Sequence, residues 1–356
     1  MICKKNRLLA VMIAGAMMII GGCGTENKDV LEESTLSNPA AITIGFAQVG
    51  EESDWRRANS KSICDTFSAE NGYNLIYVDS ENDPEKQMSA VRKFIQEGVD
   101  YIVLEPIVED GWDNILSEVK EAGIPLIIAD RSVSVSDDSL YSAWVGSDAL
   151  LEGERACEWL NAYAESENID PEDIRIVNIM GTEGSSVQIG RDNALHNAVK
   201  KYGWSFLGAE PGEFTQAKGK EAMEQLLKKY PELNVVYCDN DNEAYGAIDI
   251  LQNEGKKIGS DIEAGEIMII SFDASNGGLE CVKNGQISCN CEDNPLLGPK
   301  IEEILKKLEA GETVEKKQYV DEQIFAIKSD VTSVTVRGKE YPVVNVTDEL
   351  LKKRVY

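Results

Sequence analysis

The stretch Gly50-Glu-Glu-Ser-Asp-Trp-Arg-Arg-Ala-Asn59 follows an apolar run that ends at Val49. Trp55 is costly to leave in water and Arg56 is costly to bury unpaired, so their adjacency at the mouth of a buried strand points to a partner outside the chain. In open α/β sheets ligands bind beyond the carboxyl ends of the strands. Reading only those positions gives Trp55 and Arg56, then Glu105, then Asp130-Arg131. Further along they are the segment from Thr182 to Arg191, then Phe214, Asp239-Asn240-Asp241 and Asp273. The set combines flat aromatics, carboxylates, guanidinium groups and an amide. A carbohydrate offers apolar C–H faces for stacking and neighbouring hydroxyls that take paired donors and acceptors, which charged planar groups bind with fixed geometry. Each residue also has a plainer reading. Asp130 or Asp273 could cap a helix, Arg131 could pair with a surface acid, and Trp55 or Phe214 could be core. Their joint occurrence at successive strand ends favours a carbohydrate cleft.

The elements that must position these residues form a strand-then-helix rhythm. Strands are expected over 42–49, 74–79, 100–104 and 124–129, alternating with helices over 57–71, 83–97 and 111–122. Asp83-Pro84 opens the second helix with a capping acceptor and a proline in the first turn. Near-continuous apolar strands such as Pro125-Leu-Ile-Ile-Ala129 are those of a parallel sheet covered on both faces. After Ser147 the rhythm restarts, with helices over 150–165, 187–202, 217–229 and 243–253 and strands over 174–180, 205–209, 234–238 and 267–272. Two consecutive runs of βα units imply an α/β chain with two doubly wound parallel-sheet lobes. The clearest internal echo is that Pro125-Leu-Ile-Ile-Ala-Asp130 and Ile267-Met-Ile-Ile-Ser-Phe-Asp273 both end an apolar strand with aspartate.

The chain has 356 residues and a formal net charge of −28. That balance argues against nucleic acid, which needs a basic face, and suits an exported protein kept soluble and monomeric by surface acids. Lys4, Lys5 and Arg7 precede an apolar run, 8–20, too short to span a membrane comfortably. Ile20-Gly-Gly-Cys23 then resembles a bacterial lipobox. The resemblance implies a signal peptide over 1–22, cleavage before Cys23 and diacylglycerol on its thiol. The alternative is an ordinary secretory signal with an incidental cysteine, and either way the mature protein works outside the cytoplasm. Residues 23–41 read as a polar tether. Cys64 and Cys157 fall on apolar helix stripes, and Cys289 and Cys291 share one face of a strand. A bridge from Cys281 to Cys289 or Cys291 is left open, and no metal site or cofactor is expected. The signatures of nucleotide-binding loops, serine hydrolases and zinc peptidases are absent, and the single histidine, His196, lies mid-helix, so no enzyme is expected. Asp239-Asn-Asp-Asn-Glu243 lacks the glycine and the final acid of a calcium loop.

Taken together, the two lobes, Asp130-Arg131, Gly181-Thr-Glu-Gly-Ser-Ser186 before Arg191, Asn240-Asp241 and Asp273 resemble the periplasmic sugar-binding proteins of the ribose-binding type. Closer likeness lies in Gly45-Phe46, Gln48-Val-Gly50, Glu52-Ser53 and Trp55-Arg56, in Asp130-Arg-Ser132, in Phe214-Thr215, and in Asn294-Pro-Leu-Leu-Gly-Pro299. These resemble galactofuranose-binding proteins of ABC importers. The resemblance implies a type I periplasmic binding fold with a three-crossover hinge. Its N-terminal lobe would comprise 42–146 plus 293–323, and its C-terminal lobe 147–292 plus 324–356. It further implies that Trp55 stacks on a sugar, with Arg56, Glu105, Asp130 and Arg131 as the other first-lobe contacts. Arg191, Phe214, Asn240 and Asp273 would be the second-lobe contacts. The implied function is capture of a monosaccharide between closing lobes and its delivery to an ABC permease. The alternative is a sensor presenting its closed form to a membrane kinase or chemoreceptor. Asp239, where the galactofuranose group often has a neutral residue, and the stretch 289–293 depart from the pattern.

Overall fold

The computed structural model describes residues 41–356. The expected signal peptide, the lipidated Cys23 and the tether up to residue 40 lie outside these residues. Five strands, β1 (Ile42–Gln48), β2 (Tyr73–Asp79), β3 (Tyr101–Leu104), β4 (Leu126–Ala129) and β5 (Ala143–Gly146), run parallel in the order 2-1-3-4-5. Between them lie α1 (Asp54–Thr66), α2 (Pro84–Glu97) and α3 (Asp113–Ala122). Ile63 and Phe67 pack on one face of this sheet against Phe46 and Val103. On the other face Phe94, Trp112 and Leu116 cover Leu104 and Ile128. Burial on both faces is why these strands read as unbroken apolar runs.

After α4 (Ala149–Glu167) the same order recurs. The strands β6 (Arg175–Met180), β7 (Ser205–Pro211), β8 (Val235–Cys238), β9 (Met268–Asp273) and β10 (Cys289–Glu292) run parallel as 7-6-8-9-10. Their helices are α5 (Ser186–Tyr202), α6 (Gln216–Lys229), α7 (Asp241–Asn253) and α8 (Asn276–Lys283). Trp159, Leu195 and Phe272 fill one face, and Met223, Val236 and Leu251 the other. Position for position, β4 of the first sheet corresponds to β9 of the second, and β3 to β8.

The chain passes between the sheets three times. It leaves β5 for α4, leaves β10 for α9 (Gly298–Glu309), which packs Ile301 and Ile304 against the first sheet, and leaves β11 (Lys317–Tyr319) for β12 (Ile324–Ala326). Strand β11 adds to β5 in parallel, whereas β12 pairs with β10 antiparallel. The end of the chain, β13 (Ser333–Val336), β14 (Lys339–Asn345) and α10 (Asp348–Lys353), extends the second sheet. Val334 and Val336 bury in the same core as Trp159, so this tail is part of the second lobe.

One expectation changes and one open question closes. Trp55 and Arg56 are not in a loop but in the first turn of α1, three residues earlier than apolar periodicity places the helix. Ser53 is the reason: its side chain accepts the backbone N–H of Arg56, capping the helix at Asp54. Cys281, Cys289 and Cys291 are unbridged, as are Cys64, Cys157 and Cys238, and the thiols of Cys289 and Cys291 lie in the apolar core of the second sheet.

Candidate functional site

The carboxyl ends of both sheets face one pocket. Helix α1 supplies its first wall. The capped first turn buries Trp55 and Arg56 together with Asn59, and the indole N–H donates to the Asp293 carbonyl at 2.8 Å. Arg56 donates to Glu105 Oε2 at 2.7 Å, to Asp130 Oδ2 at 2.6 Å and to Glu52 Oε1 at 3.2 Å. Arg131 donates to the same Glu52 oxygen and to the Ile107 carbonyl, and lies 5.1 Å over the ring of Phe214. Burial alone would weaken the charge of Arg56, but Asp130, Glu105 and Glu52 more than restore it and raise its pKa. Glu105 pays the reverse: burial pushes it up to about 7 despite the opposing effect of Arg56.

The second lobe supplies Arg191 from α5. It donates to Glu152 Oε2 at 2.7 and 2.9 Å, to Asp293 Oδ2 at 3.0 Å and to the Asp239 carbonyl. Asp239, which ends the run after β8, accepts the Gly181 N–H at 2.9 Å and is pushed up to about 7 by burial. Burial likewise raises Asp293 to about 8 and Asp273 well above the carboxylate range. The Asp273 Oδ2 is fully buried and has no hydrogen-bond partner among the described residues.

Three of the wall residues hold left-handed backbone: Asp130 at φ 58°, Phe214 at 58° and Asp273 at 89°. Such conformations cost about 1–3 kcal/mol for residues other than glycine and persist only where the surroundings over-determine them. Asp130 is held by its N–H to the Val145 carbonyl and by the Trp144 indole N–H, which donates to its carbonyl at 3.1 Å. Gly146 is required beside it, since a Cβ there would lie 2.7 Å from that carbonyl oxygen. Phe214 is held by Glu243, whose carboxylate accepts its N–H at 2.8 Å, and by the Asn240 amide, which donates to its carbonyl at 3.0 Å. Gly181 leaves room for the Phe214 ring, which a Cβ would meet at 2.0 Å.

Eight of the nine residues expected at the site line the pocket: Trp55, Arg56, Asp130, Arg131, Arg191, Phe214, Asn240 and Asp273. Glu105 does not. It lies behind Arg56, fully buried, and acts on the pocket only by holding that guanidinium. Asn240 reaches the wall with both polar atoms spent, one on Phe214 and the other capping α7 by accepting the Glu243 N–H at 2.9 Å. Asp241 is turned away, accepting from Ser271, Ser275 and Asn290. Glu52, Ser53, Val187 and Asp293 also line the pocket without having been singled out. Asp293 is the first residue past β10, so the strand-end rule reaches it. Glu152, Asp293 and Glu322 bring three carboxylates within 4.8 Å of one another, and Arg191 and Arg155 pair with them.

The lobes touch around this pocket. The Asp54 N–H donates to Asn242 Oδ1 at 3.0 Å, the Glu109 N–H to the Gly184 carbonyl at 2.9 Å, and the Ser132 N–H to Ser186 Oγ at 2.7 Å. A polar chamber walled by two lobes is suited to enclosing a small hydroxylated molecule. It contains no nucleophile held by a base of the kind that acyl transfer requires.

Comparison with known proteins agrees with this geometry. The chain is 33% identical over 288 residues to the galactofuranose-binding protein YtfQ of Escherichia coli (strain K12), covering 80% of this chain and 87% of that one. A Mycobacterium smegmatis protein solved in complex with β-D-fucofuranose superposes with a TM-score of 0.75 at 38% identity, covering 80% of this chain and 91% of that one. The periplasmic binding component of the arabinose ABC transporter of Shewanella sp. ANA-3, bound to α- and β-L-arabinofuranose, gives 0.73 at 32%, covering 80% and 91%. The family model for the periplasmic binding protein domain matches residues 44–313, a span that includes every residue lining the pocket. With two lobes of the type I fold and a binding chamber rather than a catalytic centre between them, the chain belongs to the periplasmic binding protein family.

Proposed function

We propose that the protein captures a monosaccharide in its furanose form, galactofuranose or a related hexose or pentose, and delivers it to an ABC permease. The observation that carries this reading is the pairing of Asp130 and Asp273, one from each lobe at corresponding strand ends, in the walls of one pocket. The arginine-held Asp130 and the unpartnered Asp273 accept from hydroxyls on opposite edges of the ring, while Trp55 and Phe214 offer flat faces. Arg131, Arg56 and Arg191 fix the orientation of the surrounding acceptors. The ligands of the three relatives, all furanose sugars by name, support the ring form.

Binding draws the lobes together by rotation about the three crossovers, and the closed face is what the permease recognises. The mature protein is a monomer held to the membrane by lipid on Cys23. Melting curves and calorimetric titration with L-arabinose, D-galactose, D-fucose, D-ribose, D-fructose and D-glucose test the reading, because a ligand that binds only the folded state raises its stability. Stabilisation by galactose, fucose or arabinose is expected, and indifference to all six contradicts it. Cys23→Ala is expected to leave the membrane fraction, and its retention there at mature size contradicts the anchor.

A further inference from the structure

Next to the pocket lies a second cavity of about 390 Å3. Asp130 and Val187 line both. One wall of the second cavity is aromatic. Tyr141 and Trp144 are seated in the first lobe's core, and Tyr319, at the end of β11, stands edge-on to Trp144 with ring centroids 5.4 Å apart at 71°. Tyr319 is 55% exposed, and Ile189 on the opposite lobe also faces this cavity. These are two of the four large hydrophobic side chains left exposed among the described residues. Tyr319 and Ile189 thus present apolar surface to this cavity from opposite lobes.

The two cavities are also coupled through Asp130. Its carbonyl accepts the Trp144 indole N–H, and its Oδ2 accepts from Arg56. No hydrogen bond reaches its Oδ1 among the described residues, which leaves that oxygen for a donor at the boundary. On the far wall Asn193 is exposed.

We propose that this cavity is a second carbohydrate subsite, so that the protein takes a furanose-terminated disaccharide or glycoside as well as the single sugar. The terminal ring lies between Asp130 and Asp273, and the next ring lies against Tyr319. A glycosidic bond places two rings side by side, so the two spaces must meet, and Asp130 and Val187, which line both, mark where they adjoin. The proposal rests on the furanose reading of the first pocket.

Calorimetric titration of the whole mature protein with D-galactose and with a galactofuranosyl disaccharide tests it, using wild type, Tyr319→Ala and Tyr319→Phe. The disaccharide is expected to bind wild type about tenfold more tightly than the monosaccharide, the size of effect an aromatic anchor commonly supplies. Tyr319→Ala should erase that gain and leave monosaccharide affinity and the apo melting curve unchanged, while Tyr319→Phe keeps it. A disaccharide that binds no tighter than the monosaccharide overturns the subsite and spares the first pocket. Equal losses for both ligands in Tyr319→Ala also overturn it. If neither ligand binds wild type, the furanose reading itself falls.

Discussion

The two lobes repeat one strand order, yet they bring unlike halves to the pocket. In the first lobe Glu52, Glu105 and Asp130 face two guanidinium groups, and Arg56 alone donates to all three carboxylates. In the second, Arg191 is the guanidinium whose charge is balanced by Glu152, Asp273 and Asp239 together with Asp293 at the crossover after β10. Glu105 and Asp239 follow β3 and β8, corresponding strands, and burial brings both to about 7. Asp130 and Asp273 also correspond, but only Asp130 is held by an arginine. The repeat therefore supplies positions, and the side chains at those positions make one half pre-paired and the other short of cations. An acceptor-rich half calls for donors from the ligand, which sugar hydroxyls are.

Removing the cation from each half should break the comparison most visibly. Arg191→Ala leaves Glu152 and Asp293 buried without their partner and is expected to cost about 3–5 kcal/mol in urea unfolding. Arg56→Ala should cost less, because Arg131 still reaches Glu52. Equal losses would mean that the halves are balanced alike.

A smaller effect separates stacking from hydrogen bonding in the first half. Trp55→Ala is expected to weaken sugar binding by about 2 kcal/mol, roughly thirtyfold, as loss of a central aromatic anchor does. Trp55→Phe keeps a flat face but loses the N–H that reaches Asp293, and calorimetry should find most of the affinity restored. If both variants lose equally, the bond to Asp293 rather than the ring face carries the effect.

The smallest expected effect is on pH. Glu105 and Asp239 near 7 and Asp293 near 8 all lie above ordinary carboxyl values through burial. The folded state therefore binds more protons than the unfolded one between about pH 4 and 8. Their contribution to stability is complete below about pH 4 and is lost as pH rises through 7 to 8. The apo melting temperature should fall between pH 5 and 8.5, and Asp239→Asn should flatten that slope. An unchanged slope in Asp239→Asn would remove this acid from the account.

Sequence carried the strand order far because burial on both faces leaves strands as plain apolar runs, as in Pro125-Leu-Ile-Ile-Ala129. It carried eight pocket residues because the strand-end rule is a rule of topology. It could not tell Glu105 from its neighbours, since standing behind an arginine and standing beside a ligand demand the same residue type. Asn240 was ambiguous for a similar reason, an amide at a strand end being equally a helix cap. Asp293 is a strand-end acid too, but β10 buries Asn290 and Glu292 beside its cysteines, so an acid there is not marked off from the polar residues of the strand itself. The position of Trp55 turned on Ser53, where a single capping hydroxyl outweighed the apolar period.

The central claim is that one furanose ring bridges Asp130 and Asp273. A crystal structure of the mature protein grown with D-galactose tests it most directly. The account predicts a five-membered ring with Trp55 against its face and hydroxyls donating to both aspartates. A six-membered ring, or a sugar that touches only one of the two, would contradict it.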